Sequence, residues 1–393
     1  MPSSPARGLR AVAPLLVPAL AGALLVTAPV ATSATAATCR ATPALLSRTP
    51  TTTRLAGGLS ARIWDTGPTP SNPQASTRIV VVRVPASSAL HPRVRAAAAL
   101  TKASTPSAYL KGAPGAVVMV NGGVFDPTRG ALPDLPQMVG GQVTKARSVK
   151  DAVIAVSKSG ASVPTKLWLT GSASAGSKGA RTVTGLNWQA VTEGVTVYTT
   201  AWGSQSRPYG SVDVVVVGGK VVALRTGTSR GKVPASGQTI LTGTGATATW
   251  LSSLRVGNAV SVSYAAHTDA SIAVWEAVGR GARYLNAGVK NGGTCGARDE
   301  LLRPRTAIGW TKAGDLLFVT VSGRATVNGV RYGGATIHQM ADYLQKLGAW
   351  NATNLDGGGS TTMLARLPSG TVVRLDRGLS EAQRAVPNVF SAG

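Results

Sequence analysis

The chain has 393 residues, and its 40 Lys and Arg against 15 Asp and Glu give a formal net charge of +25. The basic residues are dispersed and aromatic residues make up only 5% of the chain, which argues against a nucleic-acid-binding protein with a basic stripe and stacking aromatics. The charge instead favours anionic partners such as phosphate-containing polymers of the cell envelope, or it reflects an Arg-rich surface that keeps the protein soluble.

Residues 1–37 have the composition of a secretory signal peptide. Arg7 and Arg10 precede an apolar stretch, and the small residues up to Ala36 and Ala37 resemble a cleavage site. Proline interrupts the apolar stretch at positions 14, 18 and 29, which disfavours a membrane anchor. No later segment reaches the roughly 18 uninterrupted apolar residues that a spanning helix needs. We therefore expect a secreted, extracellular protein without a membrane span.

The remaining chain is predicted to form an arm and one domain. Residues 38–75 are rich in Thr, Pro and Ser and indicate an N-terminal arm, whereas residues 76–393 contain no linker, repeat or charge block. Cys39 and Cys295 are the two cysteines of the chain. In an exported protein a disulfide between them is favoured over two free thiols, and two cysteines alone cannot build a structural zinc site.

Strand patterns dominate the domain in chain order. Short β-branched runs bounded by Gly or Pro predict strands within 78–85, 115–123, 211–224 and 316–323, and hairpins are predicted at 148–163, at Gly218-Gly219 and at 312–315. Helices are predicted at 92–101, 270–279 and 336–348, the last with Thr336 as cap and Gly348 after its end. This mixture predicts an α+β fold: one large strand-dominated domain with mixed sheets and a few helices.

The segment "NLDGGGSTTM" at 354–363 is the first candidate site. It places Asp356 at a strand end beside a glycine turn, whose backbone amides are expected to form an anion-binding nest. The predicted ligand-binding residues of this turn are Asn354, Gly357, Gly358, Gly359, Ser360 and Thr361. The alternative is a tight turn in which Asp356 caps its own backbone. The segment lacks the Lys of a Walker A loop, which argues against nucleoside triphosphate binding.

Two further stretches carry polar residues at strand ends. "VNGGVFD" (120–126) delivers Asn121 and Gly122 to a turn, where Asn121 either hydrogen-bonds a sugar hydroxyl or builds an Asx turn. Arg305 and Arg324 flank the predicted hairpin at 303–324. A guanidinium binds phosphate bidentately, although an Arg in such a position is commonly only solvated.

Together these motifs resemble the phosphodiester glycosidase family. The resemblance rests on "VNGGVFD", on "RPRTAIGWTKAGDLLFVTVSGR" (303–324), on the helix leading into "NLDGGGSTTM", and on "RAVPNVF" (384–390), in an order that holds from about residue 76 to 390. Two places depart from the family pattern: Val124 stands where an aromatic residue is usual, and "RYLNAGVKNGG" (283–293) replaces an apolar run followed by Asp-Gly. Sugar specificity therefore cannot be carried over.

The resemblance implies hydrolysis of a sugar-1-phosphodiester with two carboxyl groups. Asp356 is the expected chief acid/base residue, and the candidates for the second carboxylate are Asp126, then Glu381, then Asp213. His338 either faces the site as a substrate-binding residue or lies on the helix surface.

No cofactor is expected, and the three histidines lack zinc-ligand spacing, although a Ca²⁺ at Asp356 stays open. The expected partners are a sugar-phosphate substrate and an anionic wall polymer, not nucleic acid. A non-catalytic wall-binding module of the same fold is the alternative function.

Overall fold

The fold is described from a computed structural model of the chain. It covers residues 39–66, 77–291, 293, 295–296, 298–327, 330–377 and 382–393, with only the backbone for 324–327 and 330–332. The predicted signal peptide, the predicted boundary between arm and domain, Glu381 and the side chain of Arg324 lie outside the described residues. By the clustering of contacts, residues 37–393 form one unit.

The described residues contain 28 β-strands and three α-helices. The first fourteen strands are β1 Thr51–Arg54, β2 Ser60–Asp65, β3 Arg78–Val84, β4 Pro92–Ala96, β5 Val118–Asn121, β6 Phe125–Asp126, β7 Leu132–Pro133, β8 Gln137–Val139, β9 Gln142–Arg147, β10 Asp151–Ser157, β11 Ser162–Ser174, β12 Ala180–Leu186, β13 Val195–Tyr198 and β14 Asp213–Val217. The others are β15 Lys220–Arg225, β16 Gln238–Thr242, β17 Ser261–Thr268, β18 Val274–Gly279, β19 Arg283–Asn286, β20 Val289–Lys290, β21 Arg305–Thr311, β22 Leu316–Val321, β23 Gly323–Val327, β24 Val330–Gly333, β25 Ala349–Asn354, β26 Met363–Arg366, β27 Val372–Arg374 and β28 Asn388–Ala392. The helices are α1 Pro106–Lys111, α2 Gly245–Ser252 and α3 Ile337–Lys346.

Three large sheets organise these strands. An 8-stranded sheet has the order β1-β2-β3-β22-β21-β25-β19-β20, a 5-stranded sheet has the order β27-β26-β5-β28-β4, and an 11-stranded sheet has the order β15-β14-β16-β13-β12-β9-β8-β18-β10-β11-β17. Among the named strands only β12 and β13 pair in parallel. The strand-dominated part of the predicted fold class is confirmed, and with three short helices the described fold is mostly β.

Strand β3 shows why the central strands read as continuous apolar runs. Successive side chains of a strand point to opposite faces. Val80 and Val82 enter a core shared with the 5-stranded sheet and with β10 and β18, whereas Ile79 and Val81 enter a second core that contains α3. Because both faces are covered, every position from 79 to 82 is apolar.

The predicted hairpins are present. Strands β10 and β11, β14 and β15, and β21 and β22 pair antiparallel across the predicted turns. Gly218 and Gly219 have φ angles of 54° and 74°, the positive values that a two-residue turn of type I′ needs at both positions.

Helix α3 begins and ends where the sequence indicates. The Thr336 side chain accepts a hydrogen bond from the Gln339 amide, and the Gln339 side chain accepts one from the Thr336 amide, which completes a capping box. Gly348 follows the helix with a φ of 87°.

The other two predicted helices are wrong. Residues 92–96 form β4 and pair with β28, and residues 274–279 form β18 between β8 and β10. Both segments contain good helix formers, but pairing with strands far away in sequence overrides that local preference. Helices α1 and α2 are absent from the prediction.

The N-terminal arm is bound to α3 by hydrogen bonds, next to a disulfide. Cys39 and Cys295 form the predicted disulfide. Next to it, Gln339 Nε2 donates to the Ala41 carbonyl at 2.8 Å, and the Thr42 hydroxyl bonds Asp342. None of the helices in the described part of the chain has the length and apolarity that crossing a bilayer requires.

Candidate active site

The predicted motifs meet at the end of β5. The Asp356 amide donates to the Gly122 carbonyl at 2.9 Å, and Asn121 Nδ2 donates to the Asp356 carbonyl at 2.7 Å. Residues 235 positions apart in sequence are thus joined directly, and the backbone of Asp356 is held against the turn that follows β5.

The Asn121 side chain connects the segments that meet at the end of β5. It is fully buried, and its Oδ1 accepts from the Thr306 hydroxyl at 2.8 Å and from the Thr362 amide at 3.2 Å. With Nδ2 on the Asp356 carbonyl, both polar atoms of the side chain are used within the protein. Asn121 therefore positions the loop that carries Asp356, and these contacts do not support a bond to a sugar hydroxyl.

Gly122 and Gly123 are required by close backbone approach. A Cβ on Gly122 would lie 2.0 Å from Asn388 Oδ1, and one on Gly123 would lie 2.3 Å from the Gly279 carbonyl oxygen. Asn388 also accepts the Gly123 amide at 3.0 Å and donates to Gln137 at 2.8 Å. The absence of a side chain at Gly122 thus allows Asn388 to pack against the turn.

The amides of the triple-glycine turn are largely occupied, which corrects the expectation of an anion-binding nest. The Gly357 amide donates to Asp356 Oδ1 at 2.9 Å and the Gly358 amide to the Pro304 carbonyl at 2.9 Å. The Ser360 and Thr361 amides close a short 3₁₀ turn. Asp356 caps its own backbone, as in the alternative interpretation, while the Gly359 amide has no partner among the described residues.

Arg384 lies across this turn. A Cβ on Gly359 would come 2.5 Å from Arg384 Nη2, so a larger residue at 359 would displace the guanidinium from its place against the turn. The side chain is exposed and makes no hydrogen bond with any described residue. It offers the fork of donors that suits a phosphate group.

Burial raises the pKa of Asp356 above its ordinary value of 3.8. The Ser360 hydroxyl, the Gly357 amide and the positive charge of Arg384 oppose that rise, and the negative charge of Asp134 adds to it. Ser360 is close enough to act on the carboxyl group, although its Oγ does not reach good hydrogen-bond geometry. Asp356 is thus a carboxyl group that holds its proton to higher pH than an exposed one.

Two buried hydroxyls add unused hydrogen-bonding capacity to this loop. Thr361 and Thr362 are at most 1% exposed, and their Oγ1 atoms have no hydrogen-bond partner among the described residues. Buried polar atoms are nearly always paired with protein, water or ligand. The loop beside Asp356 therefore contains hydrogen-bonding capacity that no described residue uses.

Asp134 and Asp126 lie on the β6–β7 hairpin and have different surroundings. The Asp126 carboxylate accepts the Thr128 amide at 2.9 Å and the Thr128 hydroxyl at 2.6 Å and faces Arg129 at 3.6 Å, and these contacts lower its pKa. Burial raises the pKa of Asp134, Asp126 raises it further, and Lys145 lowers it. Of the two, Asp134 is the one whose charge acts on Asp356.

Other predicted site residues are engaged in structural contacts. Arg305 is nearly buried and donates to the carbonyls of Ala335 at 3.0 Å and Leu301 at 3.1 Å. Asn354 accepts the Tyr284 hydroxyl at 2.9 Å. Neither side chain is directed to the Asp356 carboxyl group by these contacts.

Asp213 and His338 also have partners of their own. Asp213 forms a completely buried ion pair with Arg207. His338 Nε2 lies 3.5 Å from Asp342 and stands beside the disulfide. His338 therefore lies near the N-terminal arm, and these contacts do not direct it to Asp356.

The described residues offer one group of three potential metal ligands, Cys39, Cys295 and His338. Two of these are held in the disulfide, and the group contains neither Asp356 nor Asp134. Two clefts of about 230 and 240 Å³ are lined by other parts of the chain, around Trp310 and around Arg62.

Asp134 and Arg384 are candidate site residues that the sequence analysis does not name. Arg384 is the first residue of the closing "RAVPNVF" motif, which was a signal for it. Asp134 lies eight positions after Asp126, and only the pairing of β6 with β7 shows that both belong to one hairpin.

The chain is similar to a known protein family and to solved structures. The family model described as phosphodiester glycosidase matches residues 210–392. No curated protein matches the chain. A hypothetical protein from Synechocystis is 23% identical, with a TM-score of 0.65 over 85% of this chain and 62% of its own length. A Burkholderia pseudomallei protein named as exported is 20% identical, with a TM-score of 0.62 over 81% of this chain and 74% of its own.

The two similarities show a shared fold, and the chain spans less than two thirds of the Synechocystis protein. The catalytic domain of zebrafish N-acetylglucosamine-1-phosphodiester alpha-N-acetylglucosaminidase, auto-inhibited by its pro-peptide, is 16% identical over 89% of this chain and 90% of its own, and its TM-score of 0.44 is too low to support an argument. The family match begins later than the motif resemblance, which started near residue 76, but it includes Arg305, Asp356 and Arg384. Residues 210–392 are thus confirmed as a match to the phosphodiester glycosidase family.

Proposed function

We propose that the protein is a secreted hydrolase that cleaves a sugar-1-phosphodiester to the free sugar and a phosphomonoester. One feature carries the proposal: the Asp356 carboxyl group lies in a glycine turn against which the exposed Arg384 guanidinium packs, and burial and the negative charge of Asp134 both raise its pKa. Glycosidases use two carboxyl groups of different protonation, and a phosphate leaving group adds the need for a cation. The family match of residues 210–392 supports the same reaction class.

The proposed roles follow from these positions. Asp356, protonated and next to Arg384, donates its proton to the phosphate oxygen as the bond from C1 of the sugar to that oxygen breaks. Arg384 and the free Gly359 amide bind the departing phosphate. Asp134 accepts a proton from the water that adds to C1, so one proton enters and one leaves the pair. Asp134 replaces Asp126 as our choice of second carboxylate, because the Asp126 carboxylate is already bound to Thr128 and Arg129.

Charge and the N-terminal segment support the proposed location. The net charge of +25 favours an anionic phosphate-containing polymer of the cell wall as substrate. The signal-peptide-like residues 1–37 and the Cys39–Cys295 disulfide both suit an exported protein.

The test is release of free sugar by the purified protein from UDP-N-acetylglucosamine and from wall teichoic acid. We expect the wild type to release sugar, and we expect Asp356→Asn to lower kcat by about 10²–10⁴-fold. Binding of either compound without any release would favour the non-catalytic module.

Two carboxylates of the same hairpin provide a matched pair for the second role. Asp134→Asn should lose most of the turnover, whereas Asp126→Asn should retain it within about tenfold, because its carboxylate is only a local cap. If Asp126→Asn loses more turnover than Asp134→Asn, the second carboxylate is Asp126 and not Asp134.

A further inference from the structure

Arg280, directly after β18, is a nearly buried arginine without an acidic partner among the described residues. Its exposed fraction is 6%. Nη1 donates to the Gly281 carbonyl at 2.9 Å and lies 3.5 Å from the Thr353 hydroxyl. Nε is enclosed without a hydrogen-bond partner, and Nη2 has no partner in the described part of the chain either. A positive charge that is removed from water in this way is unfavourable until an anion offsets it.

The unpartnered atoms form the edge of the guanidinium that binds oxyanions. Nε and Nη2 lie side by side, and Arg147 uses the same two atoms to hold both carboxylate oxygens of Asp151 at 2.7 Å. In Arg280 this edge is unused, because its hydrogen bonds leave from Nη1. A planar fork of this kind matches the oxygens of a carboxylate or a phosphate.

The other two nearly buried arginines of the described chain have the partners that Arg280 lacks. Arg207, which is 2% exposed, forms the ion pair with Asp213. Arg305, which is 9% exposed, donates from Nε and from Nη2 to two backbone carbonyls. The unused edge is therefore particular to Arg280 and does not simply follow from burial of an arginine.

A second guanidinium adds positive charge at the same place. Burial, and then the positive charge of Arg283 in β19, lower the pKa of Arg280 to about 10, so Arg280 is protonated at neutral pH. Arg283 donates to Asn286 Oδ1 and, at 2.9 Å, to the Pro164 carbonyl. Neither arginine forms an ion pair with a described residue, and an anion between them would offset both charges.

The backbone on both sides of Arg280 adjoins the proposed active site. A Cβ on Gly279 would lie 2.3 Å from the Cβ of Leu135, the neighbour of the proposed second carboxylate. The Gly281 amide donates to the Asn354 carbonyl at 2.8 Å, two residues before the proposed acid. Arg280 thus leaves the chain between the two segments that carry the proposed carboxyl groups.

We propose that Arg280 and Arg283 bind a phosphate group, in a subsite separate from the phosphate position that Arg384 serves. The choice of phosphate as the anion rests on the proposed function. In a sugar-phosphate polymer the phosphates recur along the chain, so a neighbouring phosphate occupies this subsite while another is cleaved at Asp356. Because Nε of Arg280 is enclosed, the phosphate contacts Nη2 first and reaches Nε when the guanidinium turns towards it.

Binding of inorganic phosphate tests the subsite without turnover. Calorimetry on Arg384→Met, which lacks the other proposed phosphate position, should give a phosphate Kd that a further Arg280→Met raises by about 10–100-fold, the value of one charge-assisted hydrogen bond. A further Arg366→Met is the matched control and should leave the Kd unchanged, since that guanidinium donates to backbone carbonyls at the opposite end of β5. An equal Kd with and without Arg280 would overturn the proposal.

The stability of Arg280→Met supplies a second readout. Replacing a nearly buried, unpaired cation by an apolar side chain should leave the Tm in phosphate-free buffer at or above that of the wild type, and added phosphate should raise the Tm less in the variant. Arg283→Met, at a less buried position, should also weaken phosphate binding by about tenfold or more. It decides the matter should Arg280→Met fail to fold, and an unchanged Kd in Arg283→Met would then overturn the proposal.

Turnover distinguishes a phosphate of the substrate chain from free phosphate. Arg280→Met should raise the KM for wall teichoic acid, relative to the KM for the single-phosphate substrate methyl N-acetylglucosamine-1-phosphate, by about 10–100-fold. Weaker phosphate binding with an unchanged KM ratio would overturn the substrate subsite and assign the two arginines to free phosphate. Weaker phosphate binding combined with no hydrolysis of any sugar phosphodiester would refute the proposed function alone.

Discussion

Replacing Asn121 by Ala is the sharpest test of how the site is built. The change removes the acceptor of the Thr306 hydroxyl at 2.8 Å and of the Thr362 amide at 3.2 Å, and the donor to the Asp356 carbonyl at 2.7 Å. At about 1 kcal/mol or more for each buried group left without its partner, we expect the free energy of unfolding to fall by about 3–5 kcal/mol. The loop that carries Asp356 also loses its anchor. A displacement of about 1 Å is enough to cost roughly 100-fold in kcat.

Equilibrium unfolding in urea measures the first quantity, and kcat of the folded protein measures the second. Asn354→Ala is the matched control, because its side chain accepts one hydrogen bond, from the Tyr284 hydroxyl at 2.9 Å, and should cost about 1 kcal/mol. If Asn121→Ala lowers the free energy of unfolding no more than this control does and leaves kcat unchanged, the hydrogen bonds of Asn121 do not hold the Asp356 loop in place.

Three further predictions concern stability. Asp356→Asn should be more stable than the wild type at neutral pH. Burial raises the folded-state pKa of the Asp356 carboxyl group, so the stability of the wild type falls as the pH rises through that pKa. In unfolding measured against pH, the advantage of the variant should disappear below about pH 3.8, and equal stability at every pH would contradict the raised pKa. Asp213→Ala should lose about 3–5 kcal/mol in urea unfolding because it leaves Arg207 buried without its partner, and a loss under about 1 kcal/mol would show the pair to be dispensable. Replacing Cys39 and Cys295 by Ser should cost about 2–5 kcal/mol, and in calorimetry a reductant should lower the Tm of the wild type but not of this variant.

The sequence by itself determined the elements whose signals are local. The β-branched runs became strands, Gly218-Gly219 became a hairpin turn, and the Thr336 cap fixed the start of α3. Each depends on residues a few positions apart, where backbone sterics and side-chain periodicity act without the rest of the fold. The place of Asp356 beside a glycine turn was readable for the same reason.

Tertiary structure alone decided how that turn is used. The Gly357 and Gly358 amides donate to Asp356 and to the Pro304 carbonyl, the Asn121 side chain is hydrogen-bonded in holding the loop, and the Arg384 side chain lies against Gly359. Asp134 was invisible because its effect on Asp356 depends on distance in space, not in sequence. Strands β4 and β18 were mistaken for helices for the same physical reason: hydrogen bonds and charges between distant segments outweigh what neighbouring residues prefer.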